Sequence, residues 1–132
     1  MHPSASNLTS TYLRLRTDAS VEPLPVDDEF WRRIGSGELG SFHNEYLVTM
    51  HKIDVDLPIW EMHPKGEEVI CLLAGKMTIT LDVDGEHSRH LLDEPGAFVL
   101  VPRGAWHTAT VHAPVRALFI TAGEGTQHRE RN

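Results

Sequence analysis

After Gly40 the chain becomes a succession of short apolar stretches cut by turn residues, and this pattern constrains the fold more than any other feature. The stretches are YLVTMHKID, LPIWEMH, EVICLLA, MTITLDV, RHLLD, AFVLVP, WHTATV and VRALFIT. Between them lie Pro64-Lys65-Gly66, Ala74-Gly75-Lys76, Asp84-Gly85, Asp93-Glu94-Pro95-Gly96, Pro102-Arg103-Gly104 and Ala113-Pro114. Many short strands with regular turn signals predict an antiparallel sandwich or barrel. Asp84-Gly85 is the strongest hairpin signal, because a type I′ turn needs positive φ at both central positions.

The segment before Gly40 reads differently. Residues 1 to about 10 are small and polar and are expected to fray. Thr11–Thr17 alternates apolar and charged residues, as an edge strand does, with its partner in the same subunit or a neighbouring one. VEPLPV is too rich in proline for a central strand. DDEFWRRI reads as one short helix, with Asp27 or Asp28 as its cap, acids in its first turn and Arg32 and Arg33 near its end. From Gly123 onward the chain is polar and is expected to form a loose tail. The expected organisation is one domain: an N-terminal arm over 1–40, a barrel over 41–122 and a flexible tail over 123–132.

A chain of 132 residues can bury roughly two-thirds of its unfolded surface, enough for a true core. Its net charge of −7 argues against nucleic-acid or anionic-membrane surfaces, which need basic patches. No run approaches the roughly 20 apolar residues of a membrane span, and the N-terminus lacks a signal-type apolar core. The single cysteine, Cys71, excludes an intrachain disulfide and fits a reducing compartment. The expectation is a soluble, cytoplasmic protein with Cys71 packed as a small hydrophobe. Nine histidines are many for this length, and some are expected to bind metal.

The stretch IWEMHPKGEEVICLLAG concentrates Glu61, His63, Glu67 and Glu68 among apolar neighbours. Such groups are costly to bury without partners. Strand alternation puts Glu61 and His63 on one face and Trp60 and Met62 on the other. A hairpin turning at Pro64-Lys65-Gly66 would bring Glu68 across from both. A bulge would substitute Glu67 for Glu68. Further on, His107 shares a face with Ala109 and Val111, as an interior position would. His51 could line the same pocket. Trp60 and Trp106 alternate away from it, while Met50, Phe98, Leu100 and Phe119 fit the core or the cavity wall.

These residues resemble the two motifs of the cupin superfamily, G(X)5HXH(X)3-4E(X)6G and G(X)5PXG(X)2H(X)3N. Glu61-Met62-His63, four residues, Glu68, six residues and Gly75 follow the first. Gly96, five residues, Pro102-Arg103-Gly104, two residues and His107 follow the second. Three family positions differ: Val55 stands at the first glycine, Glu61 at the first histidine and Val111 at the final asparagine. The resemblance implies an all-β antiparallel jelly-roll barrel, or double-stranded β-helix, with a short N-terminal helix.

It also implies metal ligands at Glu61, His63, Glu68 and His107, holding a divalent ion (Fe, Mn, Zn or Ni). Glu61 is either the fourth ligand or a general base. Two histidines with one carboxylate form a facial set that leaves open positions. The implied activity is that of a dioxygenase, isomerase or lyase on an oxygen-rich chelating small molecule, with no nucleic-acid or membrane partner. A non-catalytic ligand or metal module, or a metal-free structural cupin, stands as the alternative. A homodimer is expected, since the sheet has edges to cover and cupins of this size are commonly dimers.

Overall fold

Two sixteen-residue strands, Glu68–Val83 and Trp106–Thr121, organise the molecule, because each contributes to both faces of one continuous sheet. The computed structural model of the chain describes residues 4–132. Its elements are β1 (Thr11–Leu15), β2 (Val21–Pro25), α1 (Phe30–Gly35), β3 (Tyr46–Ile53), β4 (Ile59–Met62), β5 (Glu68–Val83), β6 (Glu86–Leu92), β7 (Phe98–Val101), β8 (Trp106–Thr121) and β9 (Gln127–Glu130). Every pairing among them is antiparallel.

The first half of β5 pairs with β7 and with the second half of β8, which continues through β3 and β1 to β2. The second half of β5 pairs with β6 and with the first half of β8, which continues through β4 to β9. The result is a two-faced antiparallel barrel of jelly-roll type with one short helix. Between the faces sit Ile70, Leu72, Met77, Ile79, Val101 and Ala117, all essentially inaccessible.

Ala74-Gly75 and Ala113-Pro114, read as turns between separate strands, instead lie inside β5 and β8. The ladder shifts register between Leu72 and Met77. Gly75 has φ +90°, and a Cβ there would lie 2.0 Å from the Pro114 carbonyl oxygen. A bulge of this kind bends a strand without ending it, so turn-forming residues here mark where each strand passes from one face to the other. Asp84 (φ 53°) and Gly85 (φ 86°) do form the tight β5–β6 hairpin.

β1 is not an edge: β2 covers one side of it and β3 the other. The proline-bearing β2 takes the edge, where missing N–H groups cost least. α1 begins only at Phe30, so the acids precede it; Asp27 Oδ1 accepts from the Glu29 N–H at 3.0 Å. Phe30, Tyr12, Leu24, Phe42 and Leu47 form a second small core between the arm and the barrel. The expected fraying of the first ten residues includes Met1–Pro3, which lie outside the described residues. Asn7–Ser10 form a turn, with the Ser10 and Thr11 N–H groups donating to the Asn7 carbonyl at 3.0 Å.

Three further expectations are corrected. The polar segment after Gly123 is not a loose tail, because Gln127–Glu130 pair with β4 as strand β9. An edge strand needs only backbone partners on one side, and all four side chains of β9 are exposed. Cys71 is half-buried on the outer side of its strand, not in the core. Phe98 and Leu100 point outward too, 59% and 54% exposed, while Val99 and Val101 between them fill the core.

Candidate metal centre

His63, Glu68 and His107 come together inside the barrel. Each offers one donor atom, and the three atoms lie within 4.8 Å of one another. The residues are 4%, 3% and 5% exposed. The turn beyond β4 supplies His63, the start of β5 supplies Glu68 and the start of β8 supplies His107. β4 and β5 do not form the expected hairpin ladder: β4 pairs with β8 and β9 instead. Glu68 therefore meets the two histidines across the interior, from the opposite face of the barrel.

Tight turns hold these positions. The Gly104 N–H donates to the His63 carbonyl at 3.0 Å, tying the second motif's turn to the first. A Cβ on Gly66 would lie 2.4 Å from the Ala122 Cβ, so a larger residue would push the β4–β5 turn off the end of β8.

Glu68 Oε1 lies 3.0 Å from His107 Nε2 and 3.5 Å from His63 Nε2. Yet neither contact has hydrogen-bond alignment, and among the described residues Glu68 Oε1 and His63 Nε2 are buried without a partner. Donors bound to one ion at about 2.1 Å sit roughly 3.0 Å apart at octahedral cis positions and about 3.4 Å apart in a tetrahedron. The two separations from Glu68 match that spacing, and imidazole and carboxylate together suit a divalent ion. The residues present fit such an ion.

Of the remaining atoms, Glu68 Oε2 and His63 Nδ1 are held, while His107 Nδ1 is also buried without a partner among the described residues. Glu68 Oε2 accepts from the Thr121 hydroxyl at 2.5 Å. His63 Nδ1 lies 2.8 Å from Thr126 Oγ1. Burial alone raises the Glu68 carboxyl, but the imidazoles of His107 and His63 outweigh it and hold the group at about 2. Burial also opposes a charged His107, yet the Glu68 carboxylate prevails and raises that ring above its ordinary value.

Glu61 lies outside the close trio. It is in register with His107 on one side and His128 on the other, and its Oε2 lies 3.6 Å from His128 Nε2. Its side chain is 28% exposed. Its charge still reaches His107 and His51, favouring their protonated forms. His51 packs inside against Phe119 and Tyr12, where burial lowers its pKa. Glu67 is exposed, so no bulge has exchanged it with Glu68. Trp60 and Trp106 face away and hold the Arg129 guanidinium, 5.1 and 4.6 Å from their ring centres.

Sequence reasoning missed Thr121, Thr126 and His128. None has a motif spacing, and the last two lie in the segment whose polarity suggested a tail. Among the described residues no helix is long and apolar enough to cross a membrane.

No family model and no curated protein matches the chain. Solved structures do. Oxalate decarboxylase from Bacillus subtilis is similar at TM-score 0.52 and 16% identity, over 64% of this chain and 23% of the decarboxylase. Peruvianin-I, a cysteine peptidase from Thevetia peruviana latex, is similar at TM-score 0.53 and 14% identity, over 67% and 56% of the two chains. A cupin-2 domain protein from Shewanella frigidimarina NCIMB 400 is similar at TM-score 0.49 and 20% identity, over 58% and 69%. This chain thus spans about a quarter of the decarboxylase's length. Such likenesses are of fold, and a fold does not fix a reaction.

Proposed function

The chain has the cupin fold, and from that premise we propose that it binds one divalent metal ion through His63, Glu68 and His107 and acts on an oxygen-rich small molecule. The observation that carries this reading is the buried trio itself: three donors from three elements, within 4.8 Å of one another, two of them unpartnered at the atoms facing the centre. An unpaired buried polar group costs about 1–3 kcal/mol, and an ion would supply the missing partner. Two histidines and one carboxylate leave further positions open. Oxalate decarboxylase has Mn(II) centres, which makes Mn(II) a first choice here, beside Fe(II), Zn(II) and Ni(II).

A divalent ion bound there supplies Lewis acidity toward a substrate oxygen. The protein's own residues orient and exclude. Thr121 fixes the Glu68 carboxylate, and the enclosing barrel keeps bulk water from the three donors. Glu61, partly exposed beside His107, serves as the general base, taking a proton from a substrate hydroxyl. Dioxygenase, isomerase and lyase chemistry all draw on these parts.

A second reading has its own support. The donors are only 3–5% exposed, and hollows of about 360 and 160 Å³ on the molecule are lined by other residues. An enclosed centre of this kind also suits a module that holds a metal or small ligand without turnover.

A homodimer fits the outer surface. Leu13, the largely covered Val48, Ile120, Val69 and the exposed Leu100 align in register across five strands, and Met50, Leu118, Cys71 and the exposed Phe98 align beside them. This broad uncharged face is of the kind that proteins bury against a partner. The lone cysteine is consistent with a cytoplasmic setting.

Metal content tests the main reading. Protein purified without a histidine tag is expected to carry about one equivalent per chain by mass spectrometry, lost in His63→Ala and His107→Ala. No bound metal after anaerobic reconstitution with Fe(II), Mn(II), Ni(II) and Zn(II) would overturn it. Metal-dependent consumption of a candidate hydroxyacid, diketone or enediol separates enzyme from binding module.

A further inference from the structure

We propose that Thr126 is a positioning residue for the metal centre, fixing His63 as the Nδ1–H tautomer so that its Nε2 is a bare donor. The inference rests on the function proposed above but is argued from different atoms. Thr126 Oγ1 makes two contacts: 2.9 Å to the Gly123 carbonyl and 2.8 Å to His63 Nδ1. A carbonyl only accepts, so the single hydroxyl proton goes to Gly123. The Thr126 oxygen must then accept from His63, which places the ring proton on Nδ1. A neutral imidazole has one ring proton, so Nε2 is left with a free lone pair. Nε2 is the atom 3.5 Å from Glu68 Oε1, buried and without a partner. The hydroxyl contact thus orients the ring with Nε2 toward Glu68.

Thr126 is itself held in place from both sides. It closes a turn whose Gly125 has φ +73°, where a Cβ would lie 3.4 Å from Pro64 Cγ, next to His63 in sequence. Beyond it, β9 lies along β4, with Gln127 in register with Met62 and His128 with Glu61. Arg129 lies against Trp60 and Trp106 and pairs with Asp82 at 2.7 Å. Arg131 donates to the Leu57 and Ala109 carbonyls at 2.9 and 2.8 Å. The segment after the barrel is therefore clamped to the strand that leads into His63, and it delivers one hydroxyl to the ligand. Partners of metal-bound imidazoles act by fixing tautomer and ring orientation, and their loss typically weakens binding about 10–100-fold.

Long-range 1H–15N NMR on the metal-free full chain at neutral pH reads the tautomer directly. The expected result is a proton on His63 Nδ1 in the wild type, a loss of that fixed tautomer in Thr126→Val, and its return in Thr126→Ser. Titration with Zn(II) is expected to show roughly 10–100-fold weaker binding for Thr126→Val, recovered in Thr126→Ser. A wild-type His63 protonated at Nε2, or an unchanged tautomer in Thr126→Val, would overturn the assignment. If none of the proteins binds Zn(II) or any other divalent ion, the proposed function fails, while the tautomer spectra still decide the role of Thr126.

Discussion

Thr121 and Glu68 are partners across two neighbouring strands: they face each other in register, and the Thr121 hydroxyl donates to Glu68 Oε2 at 2.5 Å. One carboxylate oxygen is thereby anchored while the other faces the two imidazoles. Thr121→Val keeps the shape and removes the anchor, leaving a buried oxygen unpaired. The expected loss is about 1–3 kcal/mol of stability, with metal affinity falling about tenfold or more. Denaturant melts and Zn(II) titration measure the two effects separately.

Gly75→Ala is expected to be far more damaging than its size suggests. The backbone there has φ +90°, and the added Cβ would lie 2.0 Å from the Pro114 carbonyl oxygen. A left-handed conformation costs a non-glycine residue about 1–3 kcal/mol before any clash. The clash is with backbone, which cannot rotate away. A loss of about 3 kcal/mol or more at unchanged m-value is the expected outcome; wild-type stability would show that the bulge relaxes freely.

Metal binding should weaken as pH falls. Burial disfavours a charged His107, but the Glu68 carboxylate outweighs it and the ring holds its proton above its ordinary range. An ion must displace that proton. Below the raised pKa, apparent affinity is expected to drop by about tenfold per pH unit; above it, affinity levels off. Calorimetry at several pH values, in buffers of different ionisation enthalpy, counts the proton released. No proton release near neutral pH would show that His107 is already neutral in the metal-free protein.

Arg129→Ala should destabilise the protein in a pH-dependent way. The Arg129 hydrogen bond is the largest cause lowering the Asp82 pKa. A carboxylate with a depressed folded pKa contributes stability above its unfolded value near 4, and that contribution is lost as pH falls through the folded pKa. The melting-temperature gap between wild type and Arg129→Ala is therefore expected to be widest near neutral pH and to narrow in acid. The contact with Trp60 and Trp106, worth about 0.5–1 kcal/mol at exposed sites, remains in acid.

Leu100→Glu should disrupt self-association. Leu100 ends a row of five aligned apolar side chains and is itself 54% exposed, so a carboxylate there should not disturb the core. Light scattering is expected to give a dimer mass for the wild type and a monomer mass for the variant. A wild-type monomer would remove the dimer from the proposal.

Much of the centre was legible because turns and donors fix spacing. Pro102-Arg103-Gly104 sets where His107 begins its strand, and His63 and Glu68 flank a turn that must contain Gly66. What escaped has a physical reason in each case. The side chains of Gln127–Glu130 are all polar and exposed, so no apolar alternation marks β9. Gly75 and Pro114 have the chemistry of turns, yet they oppose each other and bend two continuous strands. Phe98 and Leu100 alternate as a buried face does, but alternation does not say which side is the core. Glu61 has the ligand's place in the motif but sits beside His128, a residue that no spacing pointed to.

The double service of β5 and β8 also determines how the molecule can come apart. Each of these strands contributes one half to either face, so pulling out one layer tears the backbone ladder of the other. The two faces thus form a single cooperative unit, with no hinge along which one could melt while the other survives. A substitution on one wall of the barrel is consequently felt as a change in the stability of the whole, including the distant wall from which Glu68 reaches its histidines.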